Sequence, residues 1–162
     1  MSKLKIVAVT FGLFVLGFFR EFLFESINGH LYYLWKEQTN PYLPKSLFFL
    51  ENVSYWSLYY GKFTLILLFS VLYLYASLVL IRLFFKEQLY QRITIVFFVG
   101  IFSLAALIFA LGFAFGAEHE GYGVARKLIE FIQSPLACFF LIPAFLLYKK
   151  EKNYAKKTGA AC

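Results

Sequence analysis

The residues with the greatest chemical potential lie close together at the end of the first apolar run. The stretch 18–35, FFREFLFESINGHLYYLW, places Arg20, Glu21, Glu25 and His30 among many aromatic side chains. A charge near the hydrocarbon of a bilayer is costly unless it is paired or hydrated, so such groups mark functional sites. In a helix, Glu21 and Glu25 are four residues apart and repel each other on one face. We therefore expect a cation beside them, or one protonated carboxyl group.

Other charged residues flank the later apolar runs and are predicted to join this group. Lys62 precedes the second long run, and Arg126, Lys127 and Glu130 lie near the start of the last. These positions are helix ends on one side of a membrane, so the side chains can converge. The candidate partner- or ligand-binding residues are Arg20, Glu21, Glu25, Lys62, Arg126, Glu130, His30 and Trp35. They form either ion pairs that fix the bundle or a polar cleft for a headgroup, a peptide or a partner helix.

The sequence offers little for metal, cofactor or nucleophile chemistry. His30 and His119, with Glu118 and Glu120, are residue types found in zinc sites, but the histidines fall on different predicted loops. Catalytic zinc usually has three protein ligands. Cys138 lies in an apolar run without a basic partner, which is typical of an inert packing residue. We predict no metal, cofactor or catalytic residue, and a protein that is more readily a binding subunit than an enzyme.

The elements that position these residues are predicted to be membrane-spanning helices. The chain is 61% hydrophobic and only 15% charged, whereas soluble domains have about 25% charged residues. Apolar runs of about 20 residues are long enough to cross a bilayer as helices. We predict an all-α, integral membrane four-helix bundle in a single domain, residues 1–162, with spans at 6–27, 63–85, 93–117 and 128–148.

An aromatic segment is predicted to connect the first two spans. Asn28-Gly29 is a turn signal that should end the first helix. Residues 30–60 contain many Tyr, Trp and Phe residues, which collect at membrane–water boundaries. Pro44 suits the start of a short helix over residues 45–52. We therefore expect an interfacial loop with a short helix over residues 30–60.

The distribution of positive charge predicts the orientation. With four spans, ten of the sixteen Lys and Arg residues lie on the side of the two termini, including those of a basic tail, residues 149–162. Because positive loops favour the cytoplasm, both termini are predicted to be cytoplasmic in a bacterial inner membrane. The net charge of +7 is then explained by contact of the tail with anionic lipid, and nucleic acid is not an expected partner.

Three segments carry a resemblance to a known group of proteins. FFREFLFESINGHLYYL, LENVSYWSLYYGKFTLILLFSVLYL and LIRLFFKE resemble small four-span membrane proteins of Bacteroidetes that are associated with exosortases. The resemblance implies an accessory subunit that binds a surface-protein processing or export partner through a periplasmic charged and aromatic face. The alternative is a membrane enzyme or transporter that acts on a lipid or ion at the Glu/Arg cluster.

Overall fold

The described part of the chain consists of helices and the segments that connect them. The computed structural model describes residues 3–157, without the side chains of Glu118 and residues 155–157. Its α-helices are α1 (Lys3–Trp35), α2 (Tyr55–Phe84), α3 (Gln88–Ala114), α4 (Glu118–Ile132) and α5 (Leu136–Lys157). A short 3₁₀ helix, Lys45–Leu50, lies between α1 and α2. The all-α prediction is confirmed for these residues, and the end of the basic tail, residues 158–162, lies outside them.

Within residues 3–157, three helices, α1, α2 and α3, are each long and apolar enough to cross a membrane. In their most apolar windows only 6%, 28% and 17% of the residues are buried inside the protein. Apolar helices with so much exposed surface are suited to contact with lipid rather than water. This combination suggests a multi-pass membrane protein.

The last two helices are a candidate for a fourth crossing only as a pair. The α4 and α5 helices pass the length and hydropathy test together, but they are bent by 62° at a short break. Pro135 lies in that break, where its ring disfavours a helical conformation of the preceding residue. Residues 128–148, predicted as one span, therefore include this break, and the described residues have three candidate crossings, or four if the bent pair forms one.

The first helix continues through the predicted turn at Asn28-Gly29 and ends at Trp35. Just beyond this signal α1 buries Leu31, which joins an apolar cluster with Ile27, Leu47, Leu50 and Leu58. This packing compensates for the low helix propensity of glycine, about 1 kcal/mol. The predicted excursion over residues 30–60 is thus too long, since its ends belong to α1 and α2 and only residues 36–54 connect them.

The core runs along the contact between antiparallel helices. Tyr73 of α2 is fully buried, and its hydroxyl donates a hydrogen bond to the carbonyl oxygen of Leu13 in α1, at 3.4 Å. At the opposite end from Lys62, the rings of Phe85, Tyr90 and Phe145 pack together and join α2, α3 and α5. These contacts align the helices so that residues near the end of α1 face the start of α2.

Two glycines allow α3 and α4 to approach closely. A Cβ atom on Gly112 would lie 2.9 Å from the Cα of Gly121 and 3.0 Å from the carbonyl oxygen of Ala117. Gly116, with φ of 70°, makes the turn between the helices. His119, which was expected on a loop, lies instead in the first part of α4, and Gly121 of the same helix serves helix packing.

We expect Gly112→Ala to lower the free energy of unfolding by about 1–3 kcal/mol, since the added methyl group meets backbone atoms that cannot rotate away. The matched control is Gly123→Ala in α4, where a Cβ atom meets nothing within 4 Å and helix propensity improves. Thermal midpoints of detergent-solubilised protein compare the two variants. Equal midpoints would show that the glycine contact does not limit the packing of α3 on α4.

Candidate functional site

Six of the eight predicted site residues line one cavity of about 630 Å³. They are the three cations Arg20, Lys62 and Arg126 and the three acids Glu21, Glu25 and Glu130. No other charged residue lines this cavity within the described part of the chain. We call it the charged cavity. The structure therefore brings together side chains that are up to 110 positions apart in the sequence.

Four helices form the walls of the charged cavity. Its charged residues come from α1, α2 and α4, whereas α3 supplies only apolar side chains. Ala105 and Ala106 are small and leave space, and Phe102 and Phe109 border that space along the same helix. The cavity thus has charged groups of both signs on the walls from α1 and α4, one cation on the wall from α2, and an apolar fourth wall.

Arg20 is held in place by a buried amide. Its Nε atom donates a hydrogen bond to Oε1 of Gln133 at 3.1 Å. The Nε2 atom of Gln133 in turn donates to the carbonyl oxygen of Ile66 at 2.7 Å and to the hydroxyl of Ser70 at 2.8 Å. The guanidinium group also lies 4.9 Å from the ring centroid of Phe24. These contacts use Nε and leave the Nη donors of Arg20 without a hydrogen-bond partner among the described residues.

The other two cations have contacts within their own part of the cavity. Lys62 donates from Nζ to the hydroxyl of Tyr122 at 2.9 Å. Arg126 and Glu130 form an ion pair of 2.8 Å one turn apart on α4, with both side chains partly exposed. An exposed pair of this kind contributes only about 0–1 kcal/mol to stability. It therefore positions the two groups more than it stabilises the fold.

The two acids of α1 differ from the acid of α4, because they have no direct polar partner within the described part of the chain. Glu21 and Glu25 are both exposed and line the cavity. Among the described residues, neither carboxylate forms a hydrogen bond or an ion pair, although Glu21 is close enough to Arg20 to interact with its charge. The expected cation beside them is thus present in the cavity but does not pair with them.

His30 and Trp35 do not line the charged cavity. His30 lies on α1, not on a loop, and it is 3% exposed, with Nε2 at 3.1 Å from the carbonyl oxygen of Leu50. It connects α1 to the 3₁₀ helix. Trp35 is 70% exposed at the end of α1. Lys127, which was expected near the cluster, is exposed and outside the cavity lining.

The side chains that could bind a metal ion are those of His, Cys, Asp and Glu. Among the described residues no three His, Cys, Asp or Glu side chains come together in a way that would hold a metal ion. The side chain of Glu118, one of the residues considered for such a site, lies outside the described set. Cys138 is buried, and its Sγ atom lies 3.1 Å from the hydroxyl of Ser77.

Sequence reasoning missed the residues that support the charged groups. Gln133 and Tyr122 carry no charge, and each becomes important only through its contact with Arg20 or Lys62. One signal was available for Gln133, which is an amide directly after Phe131 and Ile132 and two positions before Pro135. A buried amide requires hydrogen-bond partners, and these mark the point where helices meet.

Comparisons with protein-family models, curated proteins and solved structures found no match to this chain. The functional argument therefore depends on the geometry and chemistry of the site.

We expect Gln133→Leu to lower the free energy of unfolding by about 1–3 kcal/mol, because Arg20 and Ser70 lose a buried partner. Gln88→Leu, an exposed position at the start of α3, is the matched control and should change stability by less than about 0.5 kcal/mol. Thermal unfolding in the same detergent measures both. A Gln133→Leu protein as stable as the control would exclude this network as a structural anchor.

Proposed function

We propose that this chain is a membrane protein that binds an amphiphilic ligand from the bilayer in its charged cavity. One observation carries the proposal: three cations and three acids share a cavity of about 630 Å³ whose remaining wall is apolar. Ligand pockets commonly measure about 300–1,000 Å³ and combine apolar walls with a few polar groups. An amphiphile offers a charged part and an apolar part to match.

The unused hydrogen-bonding capacity of the cavity favours binding over a purely structural role. Bundle-fixing ion pairs would be expected to engage the acids of α1, yet Glu21 and Glu25 have no such partner among the described residues. The ion pair that lines the cavity, Arg126–Glu130, lies within one helix and joins no two helices. Free acceptors and free donors beside each other are the groups that a ligand with complementary charges would use.

The depth of the site makes a ligand from the bilayer more suitable than a water-soluble one. The apolar run of α1 from Ile6 to Phe19 has about 14 residues, whereas a span needs about 20. The span must then include Arg20 and Glu21, which places them at the headgroup layer or just below it. A lipid reaches that depth by lateral diffusion, without leaving the membrane.

A second candidate function is an accessory subunit that contacts another membrane protein. It is favoured by exposed aromatic side chains around the connection between α1 and α2, namely Trp35, Tyr42, Phe48, Phe49, Trp56 and Tyr60. In this proposal the aromatic surface is periplasmic, the termini are cytoplasmic, and the partner belongs to a surface-protein export system of the exosortase type. Turnover or transport of a bound lipid or ion through the charged cavity is the alternative proposal for the site.

Ala106→Trp tests ligand binding. We expect it to weaken the affinity for lipid at least about tenfold, since the indole group occupies the cavity. Ala106 is exposed at the cavity wall, so the larger side chain need not disturb the core. Native mass spectrometry of detergent-solubilised protein, titrated separately with dioleoyl phosphatidylethanolamine and dioleoyl phosphatidylglycerol, measures one-to-one adducts.

Ala110→Trp is the matched control, one turn further along α3, exposed and outside the cavity lining. It should bind lipid as the wild-type protein does. If no lipid forms a saturable adduct, or if both tryptophan variants bind equally well, the charged cavity is not an amphiphile site.

The proposed orientation and the accessory role can be tested with one variant, Phe48→Cys. A membrane-impermeant maleimide that carries a photocrosslinker, added to intact cells, should label residue 48. The native Cys162 in the tail should react only after permeabilisation, and Cys138 is buried. Mass spectrometry of the labelled protein locates the modified residue, and illumination then links residue 48 to its neighbours.

Labelling of Cys162 in intact cells would reverse the proposed orientation. Crosslinks from residue 48 to lipid alone, with no discrete protein product, would speak against the accessory role. Neither result bears on the charged cavity, so the two candidate functions are tested independently.

A further inference from the structure

A second, smaller cavity forms a groove between α2 and α3 next to the charged cavity. Its volume is about 180 Å³, and it is bordered by α4 at one point. We call it the apolar groove. Seven of its lining residues are apolar, among them Leu67, Val71, Leu74, Val99 and Ile132. The volume is below that of common ligand pockets, about 300–1,000 Å³, so the groove is better suited to extend another site than to act alone.

The apolar groove adjoins the charged cavity on three helices. Phe102 lines both. On α2 the lining passes from Ile66 in the cavity to Leu67 and Ser70 in the groove, and on α4 it passes from Ile129 to Ile132. The groove therefore begins within one helical turn of the cavity and runs toward the opposite end of α2. From Leu67 to Leu74 it extends for about 10 Å at the helical rise.

The single polar residue of the groove does not change its apolar character. The hydroxyl of Ser70 donates to the carbonyl oxygen of Ile66 at 2.8 Å and accepts from Gln133 at 2.8 Å. Val71 and Val99 are 63% and 54% exposed, so the groove opens on the outer surface of the helices, where lipid is expected. The apolar group that surrounding lipid supplies is an acyl chain.

The charges of the cavity restrict the headgroup to which that chain is attached. Among the described residues, the Nη donors of Arg20 have no hydrogen-bond partner, and Lys62 uses one of its three N–H donors, toward Tyr122. These groups suit a phosphate. Glu21 and Glu25 are acceptors without a direct partner, and they suit an ammonium group that donates N–H bonds and relieves their mutual repulsion. An anionic headgroup would satisfy only the cations.

We infer that the charged cavity and the apolar groove form one site for a zwitterionic phospholipid with a primary ammonium group, whose acyl chain lies between α2 and α3. The inference rests on the proposed amphiphile binding and assigns the ligand class. The phosphate lies by Arg20 and Lys62, the ammonium group lies by Glu21 and Glu25, and one acyl chain follows the groove past Val99.

The headgroup assignment is tested with dioleoyl lipids in native mass spectrometry of the detergent-solubilised full chain. Phosphatidylethanolamine should bind about tenfold more tightly than phosphatidylglycerol or phosphatidylcholine, which lack a primary ammonium group. Glu25→Gln should reduce this preference, because a neutral amide no longer attracts the ammonium group. Equal binding of the three lipids would overturn the headgroup assignment.

The acyl-chain assignment is tested with Val99→Phe, which fills the groove from its exposed side. Binding of dioleoyl phosphatidylethanolamine should weaken about tenfold, while dihexanoyl phosphatidylethanolamine, with the same headgroup and short chains, should be much less affected. Val71→Phe fills the groove from α2 and should act in the same way. Val96→Phe is the matched control, on α3, 71% exposed and outside the groove lining.

The outcomes separate this inference from the proposed function. If no phospholipid forms a saturable adduct, amphiphile binding itself is wrong. If lipid binds and Ala106→Trp removes it, but Val99→Phe and Val71→Phe behave like Val96→Phe, the cavity is an amphiphile site and the apolar groove takes no acyl chain. An apolar side chain of a partner helix then becomes the better occupant of the groove.

Discussion

The side-chain amide of Gln133 is the interaction on which the arrangement of the charged end depends. It is 2% exposed and accepts from Arg20 of α1 while it donates to Ile66 and Ser70 of α2. It also lies where α4 ends and the chain bends by 62° into α5. A buried amide without partners would cost about 1–3 kcal/mol. The position of the bend relative to α1 and α2 is therefore restricted by hydrogen bonding, and that position brings α4 beside the cavity.

Small residues then determine how much space remains. Gly112 and Gly121 bring α3 and α4 into backbone contact, and Ala105 and Ala106 leave room on the side that faces α1 and α2. The close packing of α3 on α4 and the open volume of the charged cavity thus have the same cause, which is the small size of these α3 side chains. The charged residues occupy the border of that volume instead of being buried in a core where each would require a partner.

The lining changes from charged in the cavity to apolar in the groove. A membrane changes in the same way from its headgroup layer to its hydrocarbon, and the site is expected to lie across that boundary. Charged groups are at the end where α1 leaves its apolar run, and the groove continues among Leu, Val and Phe side chains toward the middle of the helices. Some donors and acceptors at the charged end have no partner among residues 3–157, whereas the hydroxyl of Ser70 in the groove is satisfied internally. This gradient is the reason why we propose a lipid as the ligand rather than a water-soluble ion or an isolated headgroup.

The sequence by itself determined that the chain is helical, that several helices are apolar enough to cross a membrane, and which charged residues are candidates for a site. Hydropathy and charge are local properties, so composition and spacing are enough to read them. The structure alone decided that α1 continues past Asn28-Gly29, that the last crossing is bent, and that Gln133 supports Arg20 while His30 contacts the 3₁₀ helix. These features depend on contacts such as Leu31 with its apolar cluster and Gln133 with α2, which join residues far apart in the chain. Local turn and helix preferences differ by only about 1 kcal/mol. Burial and hydrogen bonding together stabilise the fold by more than this, so such contacts override the local preferences.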